Sequence, residues 1–361
     1  MRFARFLKAA LAKCKTKLIV KSIKYKILES PRNKGSINII YILHSFKKNR
    51  SGGDKVIYKQ SEVINKLNNC TVSSSVLHVD NRAIRFDWFE HEVKFKKDLF
   101  LDPSNDFVVI PEIMSIPHAR LMSNMGINYA IFVQGGYIMD AYSHNYDELE
   151  FAYKNASLIL AISGDSAKCI ATAYPWATDK IVRIFYSIDA NKFKSSEKKE
   201  NLITYMPRKL SRHINLVKFF LNENLPKGWE LKAIHGLNEV GVTELLSKSK
   251  IFLSFSELEG LGLPPAEAAL SGNHVIGYTG EGAKEYWKEP IFTEVHNGDI
   301  KKFVSEILFK INELTVGSTD ANIDSARIEL ADKYSEPAEK QSLLNFLHKA
   351  ESILNAKSAE V

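Results

Sequence analysis

Two consecutive α/β series in one chain predict a pair of Rossmann-like domains facing a cleft. Three observations carry that prediction. Apolar, β-branched runs alternate with helical patterns from Ser36 onward, the rhythm of βαβ units around a parallel sheet. The charged, poorly hydrophobic run KSSEKKEN interrupts the alternation after Phe193, and a second series starts behind it. The chain has 361 residues, 45% of them hydrophobic, the length of about two domains with ample material for packed cores.

In chain order, SINIIYILHS reads as a buried strand, followed by a Gly-Gly turn at Gly52 and Gly53 and a helical pattern through Val63 and Leu67. TVSSSVLHV, DFVVIPEI, INYAIFVQGG, SLILAIS and KIVRIFYSI are further strands, and DELEFAYKNA is one of the helices between them. Behind the linker come the strand NLITYMP, a helix through Leu216 and Phe220, the strand ELKAIHG and the helix VTELLSKS. The strand KIFLSFS, the helix PPAEAALSG and the strand NHVIGYTG follow, and EKQSLLNFLHKAESIL ends the series as a helix. The expected division is a leader over 1–30, domains over 31–193 and 194–335, and a final helix over 336–361 for which the N-terminal domain is a candidate packing surface.

The charge is unevenly placed. Lys plus Arg number 49 and Asp plus Glu 42, a net +7. Nine of the basic residues fall within 1–26, which holds no acid, so the rest of the chain carries 40 basic against 42 acidic side chains. A basic groove for nucleic acid across the body is therefore not expected. In MRFARFLKAALAKCK, Phe3, Phe6, Leu7, Ala10, Leu11 and Cys14 share one helical face, with Arg2, Arg5, Lys8 and Lys13 mostly off it. Such a helix suits an anionic membrane surface, where each nearby Lys or Arg adds roughly 1 kcal/mol of attraction. Lys8, Lys13, Lys15 and Lys17 break the apolar core that a secretory signal needs, and no later stretch reaches the roughly 18–20 apolar residues of a membrane span. A helix packed on its own domain and an organellar transit peptide remain as alternatives. Cys14, Cys70 and Cys169 lie far apart without a CxxC pair, which argues against a disulfide scaffold or zinc ribbon and for a reducing compartment.

The chemistry concentrates in KIFLSFSELEGLGLPPAEAALSGNHVIGY. An apolar strand is expected to end at Phe255, a loop to carry Glu259, Gly260, Leu261, Gly262 and Leu263, and a helix to begin near Pro264–Pro265 and end before Gly272. Ligands of open α/β sheets sit beyond the carboxyl ends of the strands. Free amides and the positive end of the helix would there face a diphosphate, and Gly260 and Gly262 would let it approach the backbone. Glu259 sits at the loop and Glu267 in the first helical turn, one placed for a sugar and the other for ribose hydroxyls. Each unmade bond to such a charged group costs roughly 1.5–3 kcal/mol. The plain alternative is a turn followed by a helix whose N-terminus Glu267 complements, worth about 0.3–1 kcal/mol.

The string EGLGLPPAEAALSGNHVIG resembles the E-G-F/L-G-L-P-x-x-E-A-x-x-x-G-x-P-V-V motif of the family-4 glycosyltransferases of the GT-B fold, the E-x7-E motif, with Asn273-His274 in place of the usual x-Pro. KIVRIFYSIDANKF is similar to the family's K-I-x-V-I-P-N-G-V-D…F, and ITYMPRKLSR occupies the place of its V-G-R…K segment. The likeness runs over about 155–290. It implies a GT-B fold with an acceptor domain followed by a nucleotide-sugar domain, and transfer of a hexosyl group to a hydroxyl with retention of configuration. The donor would be a UDP-, GDP- or dTDP-linked sugar, the acceptor a glycan or lipid-linked glycan, with no metal and no further cofactor.

By the same resemblance Glu259 would contact the donor sugar and Glu267 the ribose. Arg208 would hold the diphosphate and offset leaving-group charge, with Lys209 and Arg212 as candidate partner cations offset from the family spacing. Gly52 and Gly53 would lie beside the donor phosphates. In the loops PEIMSIPH and QGGYIMD, His118, Gln134, Gly135, Gly136 and Asp140 would face the cleft from the acceptor side. Bacterial surface polysaccharide or lipopolysaccharide synthesis, by a cytoplasmic protein peripheral on the inner membrane face, is the implied setting. A sugar-nucleotide epimerase and a non-catalytic, membrane-associated nucleotide-sugar-binding protein are the competing readings. Other chemistries find no support. There is no DxD, HExxH, GxSxG or GxGxxG, Ala283 stands where a phosphate loop needs lysine, and the ten histidines lack metal-ligand spacing.

Overall fold

The computed structural model describes residues 24–28, 36–44, 51–67, 71–79, 84–140, 145–317 and 320–359. The helix expected in the basic leader lies outside the described residues.

Two parallel sheets organise the chain. The first has six strands, β2 (Ile37–Leu43), β3 (Val72–His78), β5 (Asp106–Pro111), β6 (Asn128–Val133), β7 (Leu158–Ala161) and β8 (Ile181–Arg183), in the order β3-β2-β5-β6-β7-β8. The short β1 (Lys26–Ile27) and β4 (Phe100–Leu101) pair beside it. The second has five strands, β9 (Glu200–Tyr205), β10 (Glu230–Ala233), β11 (Ser249–Glu259), β12 (His274–Glu281) and β13 (Phe292–Glu294), in the order β10-β9-β11-β12-β13.

Both sheets are covered on two faces, which is why their central strands, such as β5, β6 and β7, are apolar runs rather than alternating. Along β2, Ile39 and Tyr41 pack with Val56 and Ile57 of α1 (Gly52–Lys66). Ile40 and Ile42 point the other way, towards Met122 of α2 (Ser115–Asn124) and Ala152 of α3 (Tyr146–Asn155). In the second sheet Ile203, Leu253 and Ile276 pack with Ile214 and Val217 of α5 (Ser211–Leu221) and Phe303 of α8 (Ile300–Thr315). Its opposite face, covered by α6 (Glu239–Lys248) and α7 (Leu263–Leu270), joins the α1 side of the first sheet in one continuous core.

The last helix, α10 (Glu336–Ala359), follows α9 (Ile323–Lys333) and belongs to that shared core through Leu343, Phe346 and Ala350. Phe346 meets Phe107 of β5 edge-on, ring centres 5.8 Å apart. Glu339 accepts hydrogen bonds from the Ser187 amide at 3.0 Å and from its hydroxyl. Helix α10 is thus a strap from the second lobe to the first.

Local structure departs from expectation at three places. Gly52 and Gly53 are the first residues of α1 rather than a separate turn, and Ser51 is an N-cap without a side-chain bond. Strand β11 does not stop at Phe255. Its register on β12 shifts between Ser256 and Glu259, and the pairing of Glu259 with Glu281 carries the strand to its end. Helix α7 starts at Leu263, so Glu267 stands in its second turn, beyond the reach of simple N-terminal complementation. Among the described residues no helix is long and apolar enough to cross a membrane.

Candidate active site

The carboxyl ends of β6 and β11 meet at the seam between the lobes. A Cβ added to Gly260 would stand 1.7 Å from the Gln134 carbonyl oxygen and 2.7 Å from its carbon, so only glycine allows this approach. The Gln134 side chain lies over the start of α1, its Oε1 2.7 Å from where a Cβ on Gly53 would be. Four predicted residues, Gly53, Gln134, Gly135 and Gly260, therefore come together here, while the surroundings of Gly52 are open.

Beneath the seam lies Glu112, 4% exposed. Burial pushes its carboxyl up to about 7, against the opposing pull of backbone amides at Glu112, Gln134 and Gly135 that donate to it. Those bonds fix the Gln134–Gly135 turn.

Gly262 takes a left-handed conformation, φ 75°, and opens α7. The expected row of free helix amides is thinner than the motif suggests. Pro264 and Pro265 carry no N–H, and the buried Tyr286 hydroxyl accepts from Ala266 and donates to the Gly262 carbonyl. In the loop ahead of the helix Leu261 is buried, and Leu263, the first residue of α7, packs partly buried against the same core.

Glu259 and Glu267 occupy different environments. Glu259 accepts from Lys209 Nζ at 2.6 Å, and both side chains are partly exposed. Leu210, next to Lys209, has φ 48°, a left-handed conformation costly for leucine, where the chain turns from the β9 end into α5. Arg208 and Arg212 are exposed and form no ion pair with a described residue. Glu267 is only slightly exposed, and the desolvation pushes its pKa up while Lys55 of α1 pulls it back. Lys55 Nζ lies 3.9 Å from Glu267 and 2.6 Å from Glu239, to which Lys192 also bonds. Burial alone would lower the Lys55 pKa, but Tyr186, Glu267 and Glu239 together hold it above its ordinary value.

Two acceptor-side residues depart from expectation. His118 is fully buried and does not line the cleft. Its Nδ1 bonds the Tyr25 hydroxyl at 2.9 Å, its ring lies 5.6 Å from that of His44, and burial pushes its pKa down to about 3. Gly136 packs against Cys169 of α4 (Gly164–Ala173), where a Cβ would sit 2.6 Å from the sulfur, so its smallness serves packing. Asp140 is exposed beside residues outside the described set.

Sequence reasoning missed Lys55, Glu239 and Glu285. The Glu285 carboxylate accepts from the Gly164 amide at 2.7 Å, from Arg183 at 2.7 Å and from the Tyr334 hydroxyl at 2.5 Å, tying the second lobe to the first. A glutamate inside GEGAKEYW was a signal of a loop, but its partners are far along the chain. No cluster of metal-ligating side chains occurs among the described residues.

Two parallel Rossmann-like sheets whose strand ends meet at a seam, strapped by a returning C-terminal helix, make up the GT-B fold. Comparison with known proteins bears on that class. No family model matches the chain. It is similar, at 24% identity over 201 residues, to an alpha-1,6-glucosyltransferase of Actinobacillus pleuropneumoniae serotype 7 (strain AP76), covering 55% of this chain. The chain spans 56% of the length of that relative. Among solved structures, sucrose-phosphate synthase from Thermosynechococcus elongatus superposes with a TM-score of 0.63 at 11% identity, over 88% of this chain and 100% of the other. Anabaena HepE, solved with UDP and glucose, superposes with a TM-score of 0.61 at 12% identity, over 86% of this chain and 99% of the other.

Proposed function

We propose that the chain is a retaining glycosyltransferase of the family-4 kind, moving a hexosyl group from a nucleotide-sugar donor to a hydroxyl of a glycan or lipid-linked acceptor. The supporting observation is the seam itself: the Glu259–Gly260 step of one lobe presses on Gln134 of the other, with Glu267 facing Lys55 across the same gap. In this reading residues 31–193 take the acceptor and 194–335 the donor. The glucosyltransferase relative and the UDP-bound HepE fold agree with such a donor.

Each residue then has a task. Glu267 accepts the ribose hydroxyls, and Glu259 contacts the donor sugar while paired to Lys209. Arg208, exposed and without an ion pair to a described residue, holds the diphosphate and offsets the charge that grows as the sugar–phosphate bond breaks. Lys209 and Arg212 add to that field. Gly53 lies beside the donor phosphates, and Gln134 and Gly135 line the acceptor side of the opposite wall. No side chain is assigned as nucleophile: in this reading the acceptor hydroxyl attacks from the face the leaving phosphate departs, assisted by that phosphate. Closure of the lobes keeps water out. Surface polysaccharide or lipopolysaccharide assembly, with residues 1–26 resting on the anionic inner membrane face, completes the proposal.

The test is incubation of purified protein with a panel of UDP-, GDP- and dTDP-sugars, following nucleotide release with and without a bacterial membrane extract. Release that depends on the extract, with sugar incorporated into glycan or lipid, supports the reading. Conversion of the sugar nucleotide without any acceptor would make the protein an epimerase. Binding without turnover would make it a carrier.

A further inference from the structure

Lys55 is a cation of the first lobe buried between two acids of the second. It is 9% exposed, and its Nζ stands at hydrogen-bond distance from Glu239, 2.6 Å, but beyond it from Glu267, 3.9 Å. Glu239 also receives Lys192, so it is the doubly held anchor of the group. Glu267 feels the ammonium charge while keeping its own acceptor positions open.

We propose that Lys55 is a positioning residue for the donor nucleotide: anchored on Glu239, it keeps Glu267 an ionised carboxylate able to accept both hydroxyls of a ribose, and so makes the closed cleft select ribonucleotides. This rests on the donor role of Glu267 proposed above. An ionised carboxylate only accepts, with room for two hydroxyl donors, whereas a protonated one spends an oxygen on its own proton. The groups around Glu267 are Lys55 on α1, Lys192 ahead of the linker, Glu239 on α6, and the buried phenols of Tyr186 and Tyr286. Burial and Glu239 favour the protonated form, and the two lysines oppose them. Without the Lys55 charge, Glu239 and Glu267 face each other in a buried site, and one of the pair takes up a proton. Because Lys55 belongs to the opposite lobe, the selection exists only while the lobes are together.

The experiment is calorimetric titration of UDP, GDP and their 2′-deoxy counterparts into the full-length wild type, Lys55→Gln and Lys55→Arg, between pH 5.5 and 8.5, with thermal melts as the folding control. The wild type should prefer the ribose form by about ten- to a hundredfold. Lys55→Gln should lose most of that preference at neutral pH and recover it as pH rises. Lys55→Arg should keep it. Should the glutamine variant not fold, Lys55→Met carries the same expectation. A neutral variant with the wild-type preference and pH profile would overturn the inference while leaving the donor reading intact. A wild type that binds the nucleotides without discriminating against the 2′-deoxy forms would instead overturn the ribose role of Glu267 on which it rests.

Discussion

The Gln134 carbonyl oxygen of the first lobe lies 1.7 Å from the point where a Cβ on Gly260 of the second would stand. Two backbones touch there without a side chain between them, and the same glutamine reaches back over Gly53. The contact makes the relative placement of the lobes a function of one missing methyl group.

Gly260→Ala should therefore pry the seam apart. Overpacking of this kind costs about 1–3 kcal/mol, and the cores of the two sheets are untouched by it. The expected result is a lower melting temperature with weakened nucleotide affinity, read by a thermal scan and by calorimetry. An alanine variant identical to wild type in both would show that the lobes separate here in solution.

Glu267→Ala should cut nucleotide affinity about ten- to a hundredfold, the worth of hydrogen bonds to a charged group. Calorimetry measures it directly, and unchanged affinity removes the ribose role.

Arg208→Ala should spare the fold and damage the chemistry. The side chain is exposed, where substitutions usually shift stability by no more than about 0.5 kcal/mol. Losing a donor to developing oxyanion charge costs about 10²–10³ in turnover. Near-normal transfer rates in a kinetic assay would rule out its diphosphate role.

Glu112 gives a pH-dependent stability with a definite sign. Its carboxyl titrates near 4.5 when free and at about 7 in the fold, so between those values the folded chain holds a proton that the unfolded chain has released. Stability contributed by this group falls as pH rises through that window and is level outside it. Relative to wild type, Glu112→Gln should thus gain stability from about pH 4.5 to about pH 7. Urea midpoints measured for both proteins across that range check it, and a constant difference would mean the carboxyl is not held up by burial.

Deletion of residues 1–26 should abolish sedimentation with anionic liposomes, since that segment holds nine basic residues and no acid. Persistent co-sedimentation would place the membrane contact elsewhere.

Much of the fold was legible in the chain because its signals are local. The strands around Ile39, Val108, Ile131 and Leu253 are apolar runs between helical patterns, and Gly262 and Gly272 stand where the backbone turns left-handed, φ 75° and 81°. Errors fell where a neighbour distant in sequence decides. His118 reads as a loop-side ligand until Tyr25 and His44 enclose it, and the α7 amides read as free until Tyr286 takes the one at Ala266.

Two α/β series, a basic leader and the spacing of Glu259 from Glu267 are properties of residue order alone, because hydrophobic period, charge and glycine placement act over a few positions. Which cation faces which acid was decided by the tertiary structure. Lys55 meets Glu239, and Arg183 meets Glu285, only after two sheets have formed and closed on each other. A buried charge takes whatever partner the packing delivers, and sequence order carries no trace of that choice.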